Sequence, residues 1–187
     1  MIKLLDTLPT APPALVLRPW EQDDVPALLA AHQDPQMRQW LVTHLDDVDD
    51  ATRWVAEQEG ARQRAERFSF AVVEPVTGDA ASHRLVGQVV LKGAGGGASA
   101  AEVGYWTVAA ARGRGLAGLA LRSLTDWAFA TFAADGLTRL ELFHQVGNEA
   151  SCRVAEKSGY PLVAVLPPLP PYPQNGHLHV LRRGEGD

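Results

Sequence analysis

Four consecutive residues, Arg112-Gly113-Arg114-Gly115, combine the ingredients of an anion site. Glycine permits positive φ and lets the main chain approach a ligand closely. Arginine presents a planar, permanently charged fork that suits phosphate oxygens. Behind the turn, Leu121, Leu124, Ala128 and Phe132 recur at the spacing of one helix face. The turn therefore opens a helix, whose first amides have no intrahelical acceptor and whose dipole is positive at that end. Such a start favours a phosphate.

The chain around this turn has 187 residues, 46% hydrophobic and 21% charged, with a net charge of −5. That is enough for one domain with a proper core. The acidic balance gives no basis for broad nucleic-acid binding, which neutralises phosphates over a basic surface. The one cysteine, Cys152, excludes an internal disulfide and a zinc cluster built on thiolates, and no metal is expected. No apolar run suits a signal peptide or approaches the roughly 20 residues of a membrane helix. A soluble, cytoplasmic protein without a membrane or nucleic-acid partner is expected.

The elements that position the turn follow from pattern. Residues 1–13 are proline-rich and expected to be flexible, as are 184–187, leaving 14–183 as a single domain. A strand over 14–18 is stopped by Pro19; an acidic first turn at 21–24, with Pro26 inside, starts a helix that ends near 32–35. Residues 36–46 show little regular pattern, and a second helix covers 49–66. Alternation predicts strands at 68–73 and 85–91, a hairpin with a turn at Thr77-Gly78-Asp79. A glycine-rich connector at 93–99 leads to a strand at 101–108, then the turn and its helix. A strand at 138–144 follows, then a helix from an Asn148 N-cap to Gly159 at C′, and strands at 162–166 and 177–181 around a proline-rich loop. The order is that of a mixed α/β domain.

Three phosphate ligands compete for the turn. A P-loop needs Lys and then Ser or Thr at the helix start, whereas Gly115 is followed by Leu116 and Ala117. Gly113, Gly115 and Gly118 match the dinucleotide fingerprint, with Asp135 about twenty residues on. Its context is wrong: Val108 is separated from Gly113 by four residues, and Asp135 precedes the next strand instead of ending it. The third ligand is coenzyme A. Arg112, Gly115 and Ala117 meet the Gln/Arg-x-x-Gly-x-Gly/Ala pattern, and the stretch resembles the core motif of the GNAT N-acetyltransferase superfamily. A second stretch, Asn148-Glu149-Ala150-Ser151 through Glu156-Lys157-Ser158-Gly159-Tyr160, resembles the helix typical of the ribosomal-protein N-terminal acetyltransferase (RimJ/RimL-like) branch.

The resemblance implies a GNAT fold: about seven mostly antiparallel strands with four helices, the sheet splayed at the acyl-CoA site. It implies acetyl-CoA as co-substrate, its pyrophosphate cradled by Arg112, Gly113, Arg114, Gly115, Leu116 and Ala117. The pantetheine arm would pair with Trp106, Thr107 and Val108, using groups that an open sheet edge leaves free. Asn148 and Ser151 would complete the cofactor site. A primary amine, either a protein N-terminus or a small metabolite or antibiotic, would attack the thioester directly. Many family members protonate the leaving sulfur with a tyrosine; Ala155 stands there, and the branch resemblance points to Ser151 instead. Two groups are candidate bases: Glu102, where the family often carries a carboxylate, and His144, whose ordinary pKa suits proton transfer near neutrality. Trp40 and Tyr172 would flank the acceptor cleft. A homodimer is compatible with the family. Two other readings stay open: an acyl-CoA sensor of this fold without turnover, and an NAD(P)-dependent oxidoreductase.

Overall fold

The computed structural model describes residues 8–9, 15–76 and 79–184. Eight strands form one sheet: β1 (Leu8–Pro9), β2 (Val16–Pro19), β3 (Arg67–Val76), β4 (Asp79–Lys92), β5 (Ala100–Thr107), β6 (Arg139–Gln145), β7 (Leu162–Leu166) and β8 (Gly176–Arg182). Their order is β1-β2-β3-β4-β5-β6-β8-β7, antiparallel throughout except for the parallel β5–β6 pair. The helices are α1 (Val25–His32), α2 (Pro35–Trp40), α3 (Val48–Gln63), α4 (Leu116–Phe132) and α5 (Glu149–Lys157). The seven expected strands are present, and β1, a two-residue addition, pairs with β2 in a segment expected to be loose. The other expected flexible positions outside residues 8–9 and 184, and Thr77-Gly78 of the expected turn, lie outside the described residues. Among the described residues, no helix is long and apolar enough to cross a membrane.

The helix that pattern reading misses is α2. Its six residues are too few to show a 3.6-residue period, yet its start signal is present. Asp34 accepts a hydrogen bond from the Gln36 amide, and Pro35 occupies the first helical position.

Each face of the sheet carries its own core. On one side Phe68, Phe70, Val103, Leu140 and Leu142 pack with Leu121, Leu124, Trp127 and Phe132 of α4 and with fully buried Tyr160. On the other, Trp20, Val25, Leu28, Trp54 and Val55 pack with Ala71, Val73 and Leu85. Because strand side chains alternate, β5 sends Ala101, Val103 and Tyr105 toward α4 and Trp106 toward α1 and α3.

One feature of the sheet matters most for function. β5 and β6 are in register only from Ala100↔Arg139 to Val103↔Leu142. Beyond that point β5 stays with β4 as far as Thr107↔Gly87, and β6 stays with β8 as far as Gln145↔Gly176. The two strands follow different partners and part.

Candidate active site

The parting leaves one edge of Gly104–Thr107 without a strand partner, and the glycine turn lies just beyond it. Gly113 (φ 75°) and Gly115 (φ 77°) both adopt the left-handed conformation that disfavours a side chain, and Gly115 is the N-cap of α4. A Cβ at either would meet no atom within 4 Å, so the space outside the turn is open. The first α4 amide to find a main-chain acceptor is Leu119, bonded to Gly115 O at 3.3 Å. Among the described residues, the N–H groups from Gly113 to Gly118 have no acceptor, and they are the free donors of the turn.

The arginines of the turn are already engaged. Arg112 is bonded to Asp34 at the start of α2 and to Gln36 Oε1 at 2.7 Å. Arg114 forks onto Glu74 at 2.6 and 3.0 Å, and Arg84 joins the same carboxylate. The Arg114 guanidinium, with Arg84, holds the Glu74 carboxyl down to about 2 against the opposing effect of burial. Sequence reasoning aims both arginines at phosphate. In the fold they fasten the turn to α2 and β3, because partners 78 and 40 positions away are brought alongside.

Close packing shapes the strand that faces the gap. A Cβ on Gly87 would lie 2.3 Å from Trp106 O, so only glycine lets β4 and β5 zip here. The Val108 amide bonds to Val86 O at 3.0 Å, ending the strand just before the turn. Trp106 lies against Trp20 and against the ring of His32, with centroids 6.1 and 5.9 Å away.

The other wall of the gap is the start of α5. The Asn148 side chain accepts from the Ser151 amide at 3.1 Å, a regular N-cap. That bond uses the amide oxygen, and among the described residues the NH2 group has no acceptor and is left to donate. The half-buried Ser151 hydroxyl has no partner among the described residues. Tyr105, which sequence reasoning passes over, spans the gap from β5: its hydroxyl donates to Ser151 O at 3.2 Å, and burial pushes its pKa up to about 12.

The two candidate bases sit very differently. Glu102 lies in the zipped part of β5, paired with Lys92 Nζ at 2.5 Å. Its position is about 13 Å along the strand from Trp106 at four residues' rise. His144 lies on the parted end of β6, but Nδ1 bonds to Gln145 O at 2.8 Å and Nε2 faces His179 Nε2 at 3.0 Å. His177 and Cys152 complete this group, with Cys152 Sγ 3.9 Å from His177 Nδ1. The cluster escaped sequence reasoning, although His177 and His179, two apart on a strand, share a face.

Of the expected acceptor residues, Trp40 is close and Tyr172 is peripheral. A Cβ on Gly147, beside Asn148, would lie 3.4 Å from the Trp40 ring and 3.2 Å from Gln174 Oε1. Trp40 thus brings the end of α2 over the start of α5. Tyr172 is 46% exposed at the tip of the proline-rich loop, bonded through its amide to Leu169 O.

With this geometry in hand, the chain matches the family model of the acetyltransferase (GNAT) domain over residues 14–161. Comparison with curated proteins finds no match. Among solved structures it resembles RimL, the ribosomal L7/L12 α-N-protein acetyltransferase in complex with coenzyme A, at 18% identity over 94% of this chain and 97% of that one, with a TM-score of 0.79. It resembles Mycobacterium smegmatis RimJ in complex with a coenzyme A disulfide at 20% identity, over 95% and 86% of the two chains, with a TM-score of 0.77. A third is the Salmonella typhimurium acetyltransferase that modifies the N-terminal serine of L7/L12, at 18% identity over 94% and 98%, TM-score 0.77. At these identities the likeness is one of fold.

Proposed function

The chain belongs to the GNAT acetyltransferase family, and from that premise we propose that it transfers an acetyl group from acetyl-CoA to the α-amine of a protein N-terminus. The observation that carries the proposal is the parting of β5 and β6 directly in front of the unsatisfied amides of the turn. Pyrophosphate would lie on the N–H groups of Gly113 to Gly118, the guanidinium groups of Arg112 and Arg114 holding the turn in place. The pantetheine amides would pair with the open edge of Gly104–Thr107. Neighbours of this fold bound to coenzyme A, and others that act on a ribosomal-protein N-terminus, support the same reading.

Transfer then needs few groups. The amine nitrogen attacks the thioester carbon, and the developing oxyanion is held by a main-chain N–H near Trp106. Collapse breaks the C–S bond, Ser151 Oγ–H protonates the sulfur, and Ser151 regains its proton from solvent. His144 turns Nε2 to His179, and Glu102 is paired with Lys92 about 13 Å along the strand from Trp106, so water would receive the proton of the amine. Transfer without a side-chain base at hand suits an α-amine, whose pKa is about 8, better than a lysine amine near 10.4. Asn148 would orient the cofactor through its free NH2. Trp40 at the mouth would line the acceptor path, with Tyr172 at its outer rim.

Two measurements test the reading. Acetyl-CoA should raise the melting temperature and NAD(P) should not; no shift at saturating acetyl-CoA overturns it. Thiol release should then be faster with peptides bearing free N-termini than with small amines or with the same peptides blocked at the N-terminus. A preference for small amines would overturn the acceptor assignment and leave the cofactor assignment standing.

A further inference from the structure

Side chains from three elements converge under the N-terminal half of α5: His144 from β6, Cys152 from α5, and His177 and His179 from β8. One donor atom from each lies within 4.8 Å of every other. Hydrogen bonding fixes how two of the rings present themselves. His144 Nδ1 faces Gln145 O at 2.8 Å and His179 Nδ1 faces Tyr160 O at 3.0 Å. A carbonyl can only accept, so both Nδ1 atoms carry hydrogen, and each neutral ring is left with its lone pair on Nε2. Those two lone pairs point at each other across 3.0 Å. With His179 fully buried, two acceptors do not face each other at this distance without a positive centre between them. A ring nitrogen bonded to a carbonyl while the other turns inward is also how metal-ligating histidines are oriented.

The geometry points to a site for one divalent transition metal of the zinc class, bound by His144, Cys152, His177 and His179. Tetrahedral zinc, with bonds of about 2.0–2.1 Å to nitrogen and 2.3 Å to sulfur, sets its donors about 3.3–3.6 Å apart. The 3.0 Å between the two Nε2 atoms and the 3.9 Å from Cys152 Sγ to His177 Nδ1 bracket that range. The donor set of three imidazoles and one thiolate is chemically suited to zinc, and four protein ligands make a closed, structural site. Binding displaces the Cys152 proton to solvent, with Glu156 Oε1 3.8 Å away as a first acceptor. His144, Cys152 and His177 are each partly accessible, so the ion has a way in. A metal there ties α5, which carries Ser151, to the β6 lip of the gap; its role is to position, and it takes no part in acetyl transfer.

The test uses tag-free, full-length chain stripped with EDTA and titrated with zinc chloride in the absence of acetyl-CoA, so that its result is independent of the acetyltransferase reading. One zinc per chain is expected, with a rise in melting temperature. Cys152→Ala and His177→Ala, at half-buried positions, should each weaken binding by more than about 100-fold, beyond the loss caused by removing a supporting residue. Cobalt(II) in the wild-type chain should give the visible bands of a tetrahedral site and a thiolate charge-transfer band. Absence of stoichiometric zinc, which would leave a shared proton between His144 and His179, overturns the proposal. So does unchanged affinity in both variants, or a six-coordinate cobalt spectrum without the thiolate band.

Discussion

His32 makes acid sensitivity a test of how this fold is packed. The residue ends α1, is 3% exposed, and stands edge-on to Trp106 with its Nε2 buried and, among the described residues, without a partner. Burial, helped by the nearby charges of His44 and Arg38, holds its pKa down from 6.5 to about 4. The folded state therefore keeps the ring neutral while the unfolded chain takes up a proton below pH 6.5. The stabilising contribution is fully present above the unfolded value and is lost as the pH falls from 6.5 toward 4. At about 1.36 kcal/mol per pH unit the effect is capped near 3.4 kcal/mol, and about 2.4 kcal/mol of it falls between pH 7 and pH 4.5. Urea unfolding of wild type and His32→Leu across that window isolates the ring, because carboxylates and the other histidines cancel in the difference. The wild type should lose about 2 kcal/mol more than the variant over the window. Parallel curves would refute the argument and mean that the ring is solvated or partnered in solution. Trp106 fluorescence should report the same transition, since protonation places a charge against its ring.

Three further outcomes follow from the site. Gly87→Ala forces a Cβ to 2.3 Å from Trp106 O; a loss of about 1–3 kcal/mol in urea unfolding is expected, and unchanged stability would mean that β4 and β5 are not zipped there. Ser151→Ala should lower kcat by about 100-fold with little change in the affinity for acetyl-CoA, whereas an unchanged kcat in steady-state thiol release removes Ser151 from the chemistry. Glu74→Gln should lower stability by about 1 kcal/mol at neutral pH, a modest figure because its arginine partners are largely solvated. The folded carboxyl lies below its unfolded value, so that deficit should shrink as the pH falls from 5 toward the folded value of about 2. A deficit that stays constant with pH would show that the charge is not what Glu74 supplies.

What could be read from the sequence is what neighbouring residues decide among themselves. The Gly113 and Gly115 turn, the Asn148 cap with Ser151 three residues on, and the alternation of β6 are all local, and each is found in place. Two signals were local but easily missed: the Asp34-Pro35 start of α2, too short to show a period, and His177 with His179 on one strand face. Only the tertiary structure decided where β5 and β6 part: beyond Val103↔Leu142 each strand keeps its partner on the far edge, β4 or β8, and the two diverge. It also set Arg112 and Arg114, expected at phosphate, against Asp34 and Glu74. It packed Trp40 over Gly147 and gathered His144, Cys152, His177 and His179 at one place. These partners are far apart in the chain. Propensity and periodicity act over a few residues, whereas a meeting across the sheet depends on strand order and register, which no short stretch of sequence encodes.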